Sequence, residues 1–275
     1  MVVYDAEDRP EPDQLRKAVA AFARLPRDTA CLQARLAPYN LSDGWLVKVF
    51  WLDFDLWFNV YLPGLERLGV PIPLGGTSNH FLTERLRAVG AWDPFNVTED
   101  ADLGLRLAQF GYRVAMLDST TYEEVPAEIG AWIKQRSRWL KGYMQTWLVH
   151  GRNAGSLSRH VGLGGFLAFQ LFLGGAVLSA LVNPLLWAIF LATSVTGTSH
   201  GVEWAAGLGA LGANGMLSVL AASPRERREL APYAFTVSFY WVLISIAGYR
   251  GLWQLATRPF HWEKTTHGLT GATHG

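Results

Sequence analysis

Three long stretches without a charged residue most constrain how this chain folds. They run from 161 to 195, from 204 to 222 and from 234 to 249. About 20 consecutive apolar residues are enough for a helix to cross the hydrocarbon core of a bilayer. The sequence therefore predicts a soluble domain over residues 1–150, followed over residues 151–275 by transmembrane helices with a cytoplasmic loop and tail.

The charge distribution predicts which side of the membrane holds the soluble domain. Basic residues concentrate just before the first apolar stretch, at Lys134, Arg136, Arg138, Lys141, Arg152 and Arg159. Because cytoplasmic segments carry an excess of Lys and Arg, we expect a multi-pass protein of the cell inner membrane with its soluble domain in the cytoplasm. The net charge of +1, with basic residues spread along the chain and no Lys/Arg stripe, gives no indication of nucleic acid as a partner. The apolar stretches make the lipid bilayer the expected partner.

The apolar stretches leave alternatives for the number of membrane crossings. Asn183-Pro184 divides the 161–195 stretch, which is either one tilted helix or a tight hairpin. The arginines between 224 and 229 predict a cytoplasmic loop and favour the single crossing. The 204–222 stretch predicts a second span, whereas Arg250 makes the last stretch ambiguous.

Strand-like and helix-like segments alternate over residues 1–150, which is typical of an α/β layer. The predicted strands are 2–4, 29–36 and 112–117, and the predicted helices are 13–25, 84–89, 101–110 and 126–149. Asp13 is the expected N-cap of the first helix, and Gly111 is the expected end of the third.

The segment from 44 to 62 is unusually aromatic, with Trp, Phe or Tyr at seven positions. Two structures fit this pattern equally well. One is an amphipathic helix lying at a membrane interface, and the other is a core helix of the soluble domain. Asp53 and Asp55 lie within the segment, where exposure on a solvated helix face is favoured over a ligand role.

Two acidic clusters and a glycine-rich turn supply candidate site residues. Asp5 and Glu7 follow the first strand, where carboxylates either hold a hard divalent cation or form a solvated turn. The run Thr98-Glu99-Asp100 offers a general base or metal ligands. Gly76, with Thr77 and Ser78 after it, would let the backbone approach a ligand closely, although such turns are common.

The run Gln135-Arg136-Ser137-Arg138-Trp139 is the third candidate motif. On a helix, Gln135, Arg138 and Trp139 share one face while Arg136 turns away. Guanidinium groups bind phosphate oxygens, and an indole presents a flat face to a sugar ring. A purely structural pairing of either arginine with Glu123 or Glu124 is the alternative.

The order of these motifs resembles the processive, membrane-integrated glycosyltransferases of the second family. That family includes the cellulose synthase catalytic subunit, hyaluronan synthases and related bacterial polysaccharide synthases. Asp5-Ala6-Glu7 stands in the place of its D-x-D motif, Thr98-Glu99-Asp100 matches T-E-D, and the run from Gln135 to Trp139 matches Q-x-x-R-W. Apolar helices follow in the same order, so the resemblance covers nearly the whole chain.

The resemblance implies an α/β fold, a partial GT-A (Rossmann-like) catalytic domain followed by an α-helical transmembrane region. It also implies inverting transfer from a nucleotide-diphosphate sugar, a UDP-sugar by preference, to a growing polysaccharide or other glycan acceptor. In that scheme Asp5 and Glu7 hold Mg²⁺ or Mn²⁺, and Asp100 is the catalytic base. The implied donor- and acceptor-binding residues are Glu99, Gln135, Arg136, Arg138, Trp139, Gly76, Thr77 and Ser78.

The tail from 260 to 268 is similar to the gating loop of cellulose synthase in combining aromatic residues with Lys and Thr. We expect it to return to the active site, where Lys264 and Thr265 would contact the diphosphate. A disordered tail is the alternative.

Two departures from the family pattern shape the expectations. Glu7 stands where Asp is usual, and Asp8 beside it can substitute. The family's nucleotide-base-binding strand has no counterpart before Asp5, so we expect an N-terminally truncated enzyme that is inactive, or nearly so, by itself. The competing hypothesis is a catalytically inactive truncated product or a non-catalytic membrane partner subunit.

Overall fold

A five-stranded mixed sheet organises the first half of the chain, with the strands in the order β1-β4-β3-β5-β2. The computed structural model describes residues 1–197, 201, 204 and 228–263. The strands are β1 (Val2–Val3), β2 (Arg9–Pro10), β3 (Thr29–Pro38), β4 (Asn79–Phe81) and β5 (Arg113–Glu123). The two long central strands β3 and β5 are parallel, and every other pairing is antiparallel.

Helices flank the sheet and continue into the second half of the chain. They are α1 (Gln14–Arg24), α2 (Trp45–Leu56), α3 (Leu62–Leu68), α4 (Thr83–Ala88), α5 (Glu99–Gln109), α6 (Ile129–Gly151), α7 (Ala154–Phe169), α8 (Gly175–Val195) and α9 (Val237–Thr257). Short 3-10 segments occupy Leu41–Asp43 and Arg228–Thr236, and π-helical segments occupy Trp57–Tyr61 and Gln170–Gly174.

The predicted alternation of strands and helices is confirmed, with shifted boundaries. β3 and β5 extend beyond the predicted 29–36 and 112–117 because their parallel pairing continues to Pro38 and Glu123. β4 was not predicted as a strand, and it pairs with both β1 and β3 although it follows a glycine-rich turn. Asp13 holds the N-cap position, but its side chain caps no backbone N–H and pairs with Lys17 at 3.2 Å.

The aromatic segment forms a buried helix rather than an exposed interfacial one. α2 continues through the π-helical turn into α3, and its side chains pack in one core with Leu36, Trp132 and Tyr240. The solvated interpretation is wrong for Asp55, whereas the Asp53 side chain is 37% exposed although it is paired. The Asp53 carboxylate forms an ion pair with Arg136, and Asp55 is only 3% exposed and accepts a hydrogen bond from Asn59.

The apolar second half contains one described helix, Ala154–Val195, that is long and apolar enough to cross a membrane. α8 runs through Pro184 without a reversal, so the hairpin alternative for this stretch is wrong. A left-handed residue, Gly162 with φ of 72°, bends the helix near its start. A second apolar pair, Glu229–Thr236 and Phe239–Thr257, bends by 57° at its break. Apart from Trp204, the predicted 204–222 span lies outside the described residues.

Glycines allow close approach where the layers meet. A Cβ atom on Gly104 of α5 would lie 2.2 Å from the carbonyl oxygen of Ile72, and one on Gly251 of α9 would lie 2.8 Å from the carbonyl oxygen of Ser137. Both neighbours are backbone atoms, which cannot move aside as a side chain can. Gly104 therefore sets how closely α5 lies against the irregular segment around Ile72 and Leu74, before β4.

Replacing Gly104 by alanine should destabilise the protein by about 1–3 kcal/mol, because the added methyl group overlaps backbone atoms. The measurement is the Tm of the purified protein in detergent. Gly64→Ala in α3 is the matched control, since no atom lies within 4 Å of its added Cβ. Its Tm should stay the same or rise, and an equal Tm for the two variants would contradict the packing argument.

Candidate active site

Asp100 lies in the first turn of α5, beside the glycine-rich turn that precedes β4. A Cβ atom placed on Gly76 would lie 3.0 Å from the Asp100 Oδ2, so glycine leaves space next to this carboxylate. Burial and the neighbouring charge of Glu99 raise the pKa of Asp100 to about 7, against the opposing effect of Arg138. A carboxyl group with a pKa near neutrality is suited to take up a proton from a hydroxyl group.

Helix α6 brings Arg138 toward this carboxylate, and Gln135 lies three residues earlier on the same face of the helix. Arg138 is close enough for its charge to lower the pKa of Asp100, while burial lowers its own pKa. The Arg138 Nε and the Gln135 Oε1 are buried and have no hydrogen-bond partner among the described residues. α6 also approaches the start of α5 closely, since a Cβ atom on Gly142 would lie 2.0 Å from the Thr98 hydroxyl oxygen. These polar groups are therefore available to a ligand beside Asp100.

Arg136 points to the other side of α6, away from this group. Its guanidinium donates hydrogen bonds to the Asp53 carboxylate at 2.6 Å and the Tyr240 hydroxyl at 2.7 Å. The rings around it belong to Phe50, Trp132, Trp139 and Tyr240, at 4.4, 5.4, 4.5 and 5.8 Å from the guanidinium carbon. The two arginines face different sides of α6 as predicted, whereas Trp139, predicted to share a face with Arg138, packs beside Arg136. The ion-pair partner of Arg136 is Asp53 rather than Glu123 or Glu124.

Trp139 packs against the aromatic rings on the Arg136 side of α6. Its indole is nearly parallel to the Phe54 ring, with a centroid distance of 6.3 Å and an interplanar angle of 13°. Arg136 lies against the same indole. Trp139 is only partly buried, so part of its surface remains accessible to a sugar ring.

The acidic residues after β1 form a second part of the site. The backbone N–H of Asp5 donates to the Asp8 Oδ2 at 2.9 Å, and the Thr77 hydroxyl donates to the same oxygen. The other Asp8 oxygen is buried without a partner among the described residues. Burial raises the pKa of Asp8, and the nearby charge of Glu7 adds to the increase.

Glu123, at the end of β5, joins this acidic group although the sequence suggested it only as an arginine partner. Burial and the charges of Asp8, Asp5 and Glu7 raise the pKa of Glu123 to about 8. Its position at a strand end was the available signal, but the continuation of β5 to that residue was not predicted.

The chemistry of this group fits a hard divalent cation. No cluster of three His, Cys, Asp or Glu residues with metal-ligand geometry is preformed in the described part of the chain. Mg²⁺ is commonly held by one or two protein carboxylates plus the phosphates of a substrate, so a preformed cage is not required. The like charges that raise the pKa of Glu123, and the unpartnered Asp8 oxygen, are features that a bound cation would stabilise.

The turn residues Gly76, Thr77 and Ser78 contact three different parts of the protein. Gly76 faces Asp100, and Thr77 contacts the acidic group. Ser78 has a φ of 59° and donates its hydroxyl hydrogen to Thr121 inside the sheet, at 2.7 Å. Ser78 is fully buried, so it supports the conformation of the turn from the side of the sheet.

The described part of the tail, through Glu263, returns to α6. The Trp262 ring lies 5.0 Å from the guanidinium carbon of Arg138. Lys141 and Gln145 donate hydrogen bonds to the carbonyl oxygens of His261 and Pro259, at 2.6 and 3.1 Å. Sequence reasoning expected the tail to return to the site but assigned no site role to Lys141 or Gln145. Lys264 and Thr265 lie outside the described residues.

A polar network on the far side of α5 connects it to the end of α6. The Asp102 carboxylate accepts hydrogen bonds from Arg106 at 2.6 Å and from His150 at 2.7 Å. Burial by itself would raise the pKa of Asp102, but these two donors outweigh it, and the pKa is lowered. The ionised carboxylate therefore stabilises the folded protein.

Comparison with known proteins identifies relatives of this chain. The profile of the family described as "Glycosyl transferase family group 2" matches residues 1–247. "Probable glucomannan 4-beta-mannosyltransferase 7" from Oryza sativa subsp. japonica and "Probable glucomannan 4-beta-mannosyltransferase 1" from Arabidopsis thaliana are each 28% identical over 143 residues. These matches cover 52% of this chain but only 24% and 26% of the relatives, about a quarter of their length.

A solved structure resembles the fold over nearly the whole chain. It is "Mannosyltransferase PcManGT from Pyrobaculum calidifontis in complex with GDP-Man and Mn2+", with a TM-score of 0.57 and 19% identity. The likeness covers 92% of this chain and 62% of that one. It confirms the expected α/β fold of the GT-A type.

Replacing Asp53 by asparagine should destabilise the protein by about 2–3 kcal/mol, because the buried Arg136 charge loses its counterion. The Tm of the variant tests this. Asp118→Asn removes the partner of Arg35 in an ion pair whose carboxylate is 92% exposed, so its stability should change by about 0.5 kcal/mol or less. A similar Tm for both variants would show that the Arg136 contact contributes no more than a surface pair.

The Asp102 contribution to stability should depend on pH in a defined direction. The pKa of Asp102 is lower in the folded state than in the unfolded state, where it is about 3.9. The stabilisation is therefore fully present when the pH is above the unfolded-state pKa, and it is lost as the pH falls through the folded-state pKa. Asp102→Asn should therefore lower the Tm at pH 7, and the difference from the unmodified protein should narrow below about pH 4. A difference that stays constant down to pH 3 would contradict this role.

Proposed function

Because the chain belongs to glycosyl transferase family group 2, we propose that it is a membrane-bound, inverting glycosyltransferase. It transfers a sugar from a nucleotide-diphosphate sugar to a hydroxyl group of a growing glycan. The observation that carries the proposal is the position of Asp100, a carboxyl group with a pKa of about 7 between the glycine turn and Arg138. In this proposal residues 1–150 form the catalytic domain, and residues 151–275 form the membrane region.

Asp100 acts as the general base of the transfer. It removes the proton from the attacking acceptor hydroxyl as that oxygen forms a bond to the anomeric carbon of the donor. The bond from this carbon to the diphosphate breaks on the opposite side, which inverts the configuration. The diphosphate leaves with the electron pair of the broken bond, and the proton stays on Asp100.

The remaining site residues hold the two substrates in line. Arg138 and Gln135 present their unpartnered polar atoms to the diphosphate and the acceptor, with Glu99 at the edge of the same cleft. Trp139 supports the terminal acceptor sugar. Arg136 positions Trp139 from behind by lying against its indole, 4.5 Å from the ring centroid.

The acidic group binds the donor through a cation. Asp5 and Glu7, with Asp8 beside them, are the residues that would hold Mg²⁺ or Mn²⁺. Such an ion would neutralise the charge that develops on the leaving diphosphate. The structural neighbour was solved with GDP-Man and Mn²⁺, which supports this class of donor and metal.

The relatives narrow the choice of donor to be tested. The curated relatives are named as glucomannan mannosyltransferases, so GDP-mannose is the first donor to test, together with the UDP-sugars that the motif order favours. Their names also support a polysaccharide acceptor and, with it, processive elongation. Lys264 and Thr265 would then contact the diphosphate from the tail.

Exposed apolar side chains support insertion in the cell inner membrane. Leu163, Leu171 and Leu186 on the long helix are 71%, 70% and 59% exposed. Apolar surface of this extent is stable when lipid or another protein covers it. A multi-pass arrangement keeps the sheet domain in the cytoplasm, where nucleotide sugars are available.

Replacing Asp100 by asparagine should lower kcat by about 10²–10⁴-fold while leaving donor affinity within about threefold, because only proton removal is lost. The assay is release of nucleoside diphosphate by the purified full-length protein, and donor affinity is measured by calorimetry. For the unmodified enzyme, kcat/KM should rise as the pH passes about 7, where Asp100 becomes ionised.

Asp118→Asn, an exposed substitution on β5, is the activity control and should match the unmodified enzyme. Full transfer by the Asp100→Asn variant would remove Asp100 from the role of base. If the unmodified protein bound donors but transferred no sugar with any donor and acceptor tested, the result would favour the alternative hypothesis of a non-catalytic membrane partner subunit.

A further inference from the structure

The backbone just before the Thr98-Glu99-Asp100 motif is connected to the segment after α9 by one side chain of α6. The Gln145 Oε1 accepts a hydrogen bond from the backbone N–H of Val97 at 3.2 Å, and its Nε2 donates to the carbonyl oxygen of Pro259 at 3.1 Å. Gln145 is only 9% exposed. An amide side chain has both a donor and an acceptor, so it can join two backbone segments that do not pair directly.

Lys141 holds the same segment one helical turn earlier. Its ammonium group donates to the carbonyl oxygens of His261 at 2.6 Å and Arg258 at 3.4 Å, and the residue is only 1% exposed. Arg258 is the C-cap of α9, where the helix dipole attracts a cation. A buried ammonium group needs such partners, so docking of the segment stabilises Lys141 and Lys141 stabilises the docked segment.

Two aromatic contacts reinforce the same connection. Phe95, in the loop before α5, meets Phe260 edge to face at a centroid distance of 5.8 Å. Trp262 lies over Arg138, whose charge lowers the pKa of Asp100. Arg138, Lys141 and Gln145 are spaced by three and four residues and therefore share one face of α6.

We propose that Lys141 and Gln145 act as positioning residues, forming a clasp that holds residues 258–263 against α6 and couples their docking to the loop that carries Asp100. The proposal rests on the transferase function proposed above. The clasp contacts backbone atoms of the segment, while the side chains of Phe260, Trp262 and Glu263 make further contacts with the loop before α5, with α6 and with α9. Loss of the clasp leaves the base and Arg138 present but no longer held in one geometry.

Gln145 offers a pair of substitutions that separate its two hydrogen bonds. Gln145→Glu keeps an acceptor for the Val97 N–H but loses the donor to Pro259, whereas Gln145→Leu loses both. Amide hydrogen exchange of the full-length protein should show faster exchange of residues 258–263 in both variants. Residues 93–98 should exchange faster only in Gln145→Leu.

The kinetic readout separates positioning from simple loss of stability. Gln145→Leu should lower kcat about tenfold and change the donor KM by less than threefold, because misplacement of a base affects the chemical step most. Lys141→Met should lower kcat similarly, and Lys141→Arg should restore most of it by keeping a cation with several donors. Gln170→Leu is the control, since it removes one half-buried hydrogen bond, donated by the Trp147 Nε1–H to the Gln170 Oε1, that reaches neither segment.

The outcomes distinguish this inference from the proposed function. Unchanged exchange of residues 258–263 in both Gln145 variants would overturn the clasp, whether or not the protein transfers sugar. Faster exchange with an unchanged kcat in an active enzyme would overturn the coupling to Asp100. An unmodified protein without transferase activity would overturn the function instead, while the exchange data would still decide whether the clasp exists.

Discussion

The buried cation of Arg136 is the contact on which the arrangement of the two halves depends. It joins α6, which carries it, to Asp53 of α2 and Tyr240 of α9. The Arg136 side chain is only 13% exposed, and burying a charged guanidinium group costs free energy. The Asp53 carboxylate and the four surrounding aromatic rings offset that cost. Because these partners come from the aromatic helix between β3 and β4 and from the last apolar helix, the same contact orients the sheet domain against the helical region.

The helical periodicity of α6 places its structural arginine and the arginine of the candidate site on different faces of the helix. Arg136 lies on the face toward α2 and α9, while Arg138 is rotated toward Asp100. Gly142, on the same helix, lets α6 approach Thr98 so closely that a larger residue would overlap its side chain. Helix α6 therefore sets both how the sheet domain attaches to the helical region and how far the Arg138 guanidinium lies from the Asp100 carboxylate.

Electrostatics divides the candidate site into two parts with different requirements. At Asp100, burial dominates and raises the pKa to about 7, a value that suits the proposed proton removal. At the acidic group, burial and the repulsion of neighbouring carboxylates raise the pKa of Glu123 to about 8, which favours a counter-ion. A transfer that creates a proton at one end and a diphosphate at the other needs both environments, separated within one cleft.

The sequence by itself determined the strand and helix alternation, the three motifs with their order, and the apolar second half, because these depend on residue type and spacing along a few turns. It also placed Arg136 and Arg138 on different faces of α6, since helical periodicity alone decides that. Only the tertiary structure decided that Asp53 is the partner of Arg136, that Glu123 joins the acidic group, and that Gln145 connects Val97 to Pro259. The physical reason is that these contacts join residues far apart in the chain, and such pairs are selected by how whole helices and strands pack, not by any local pattern.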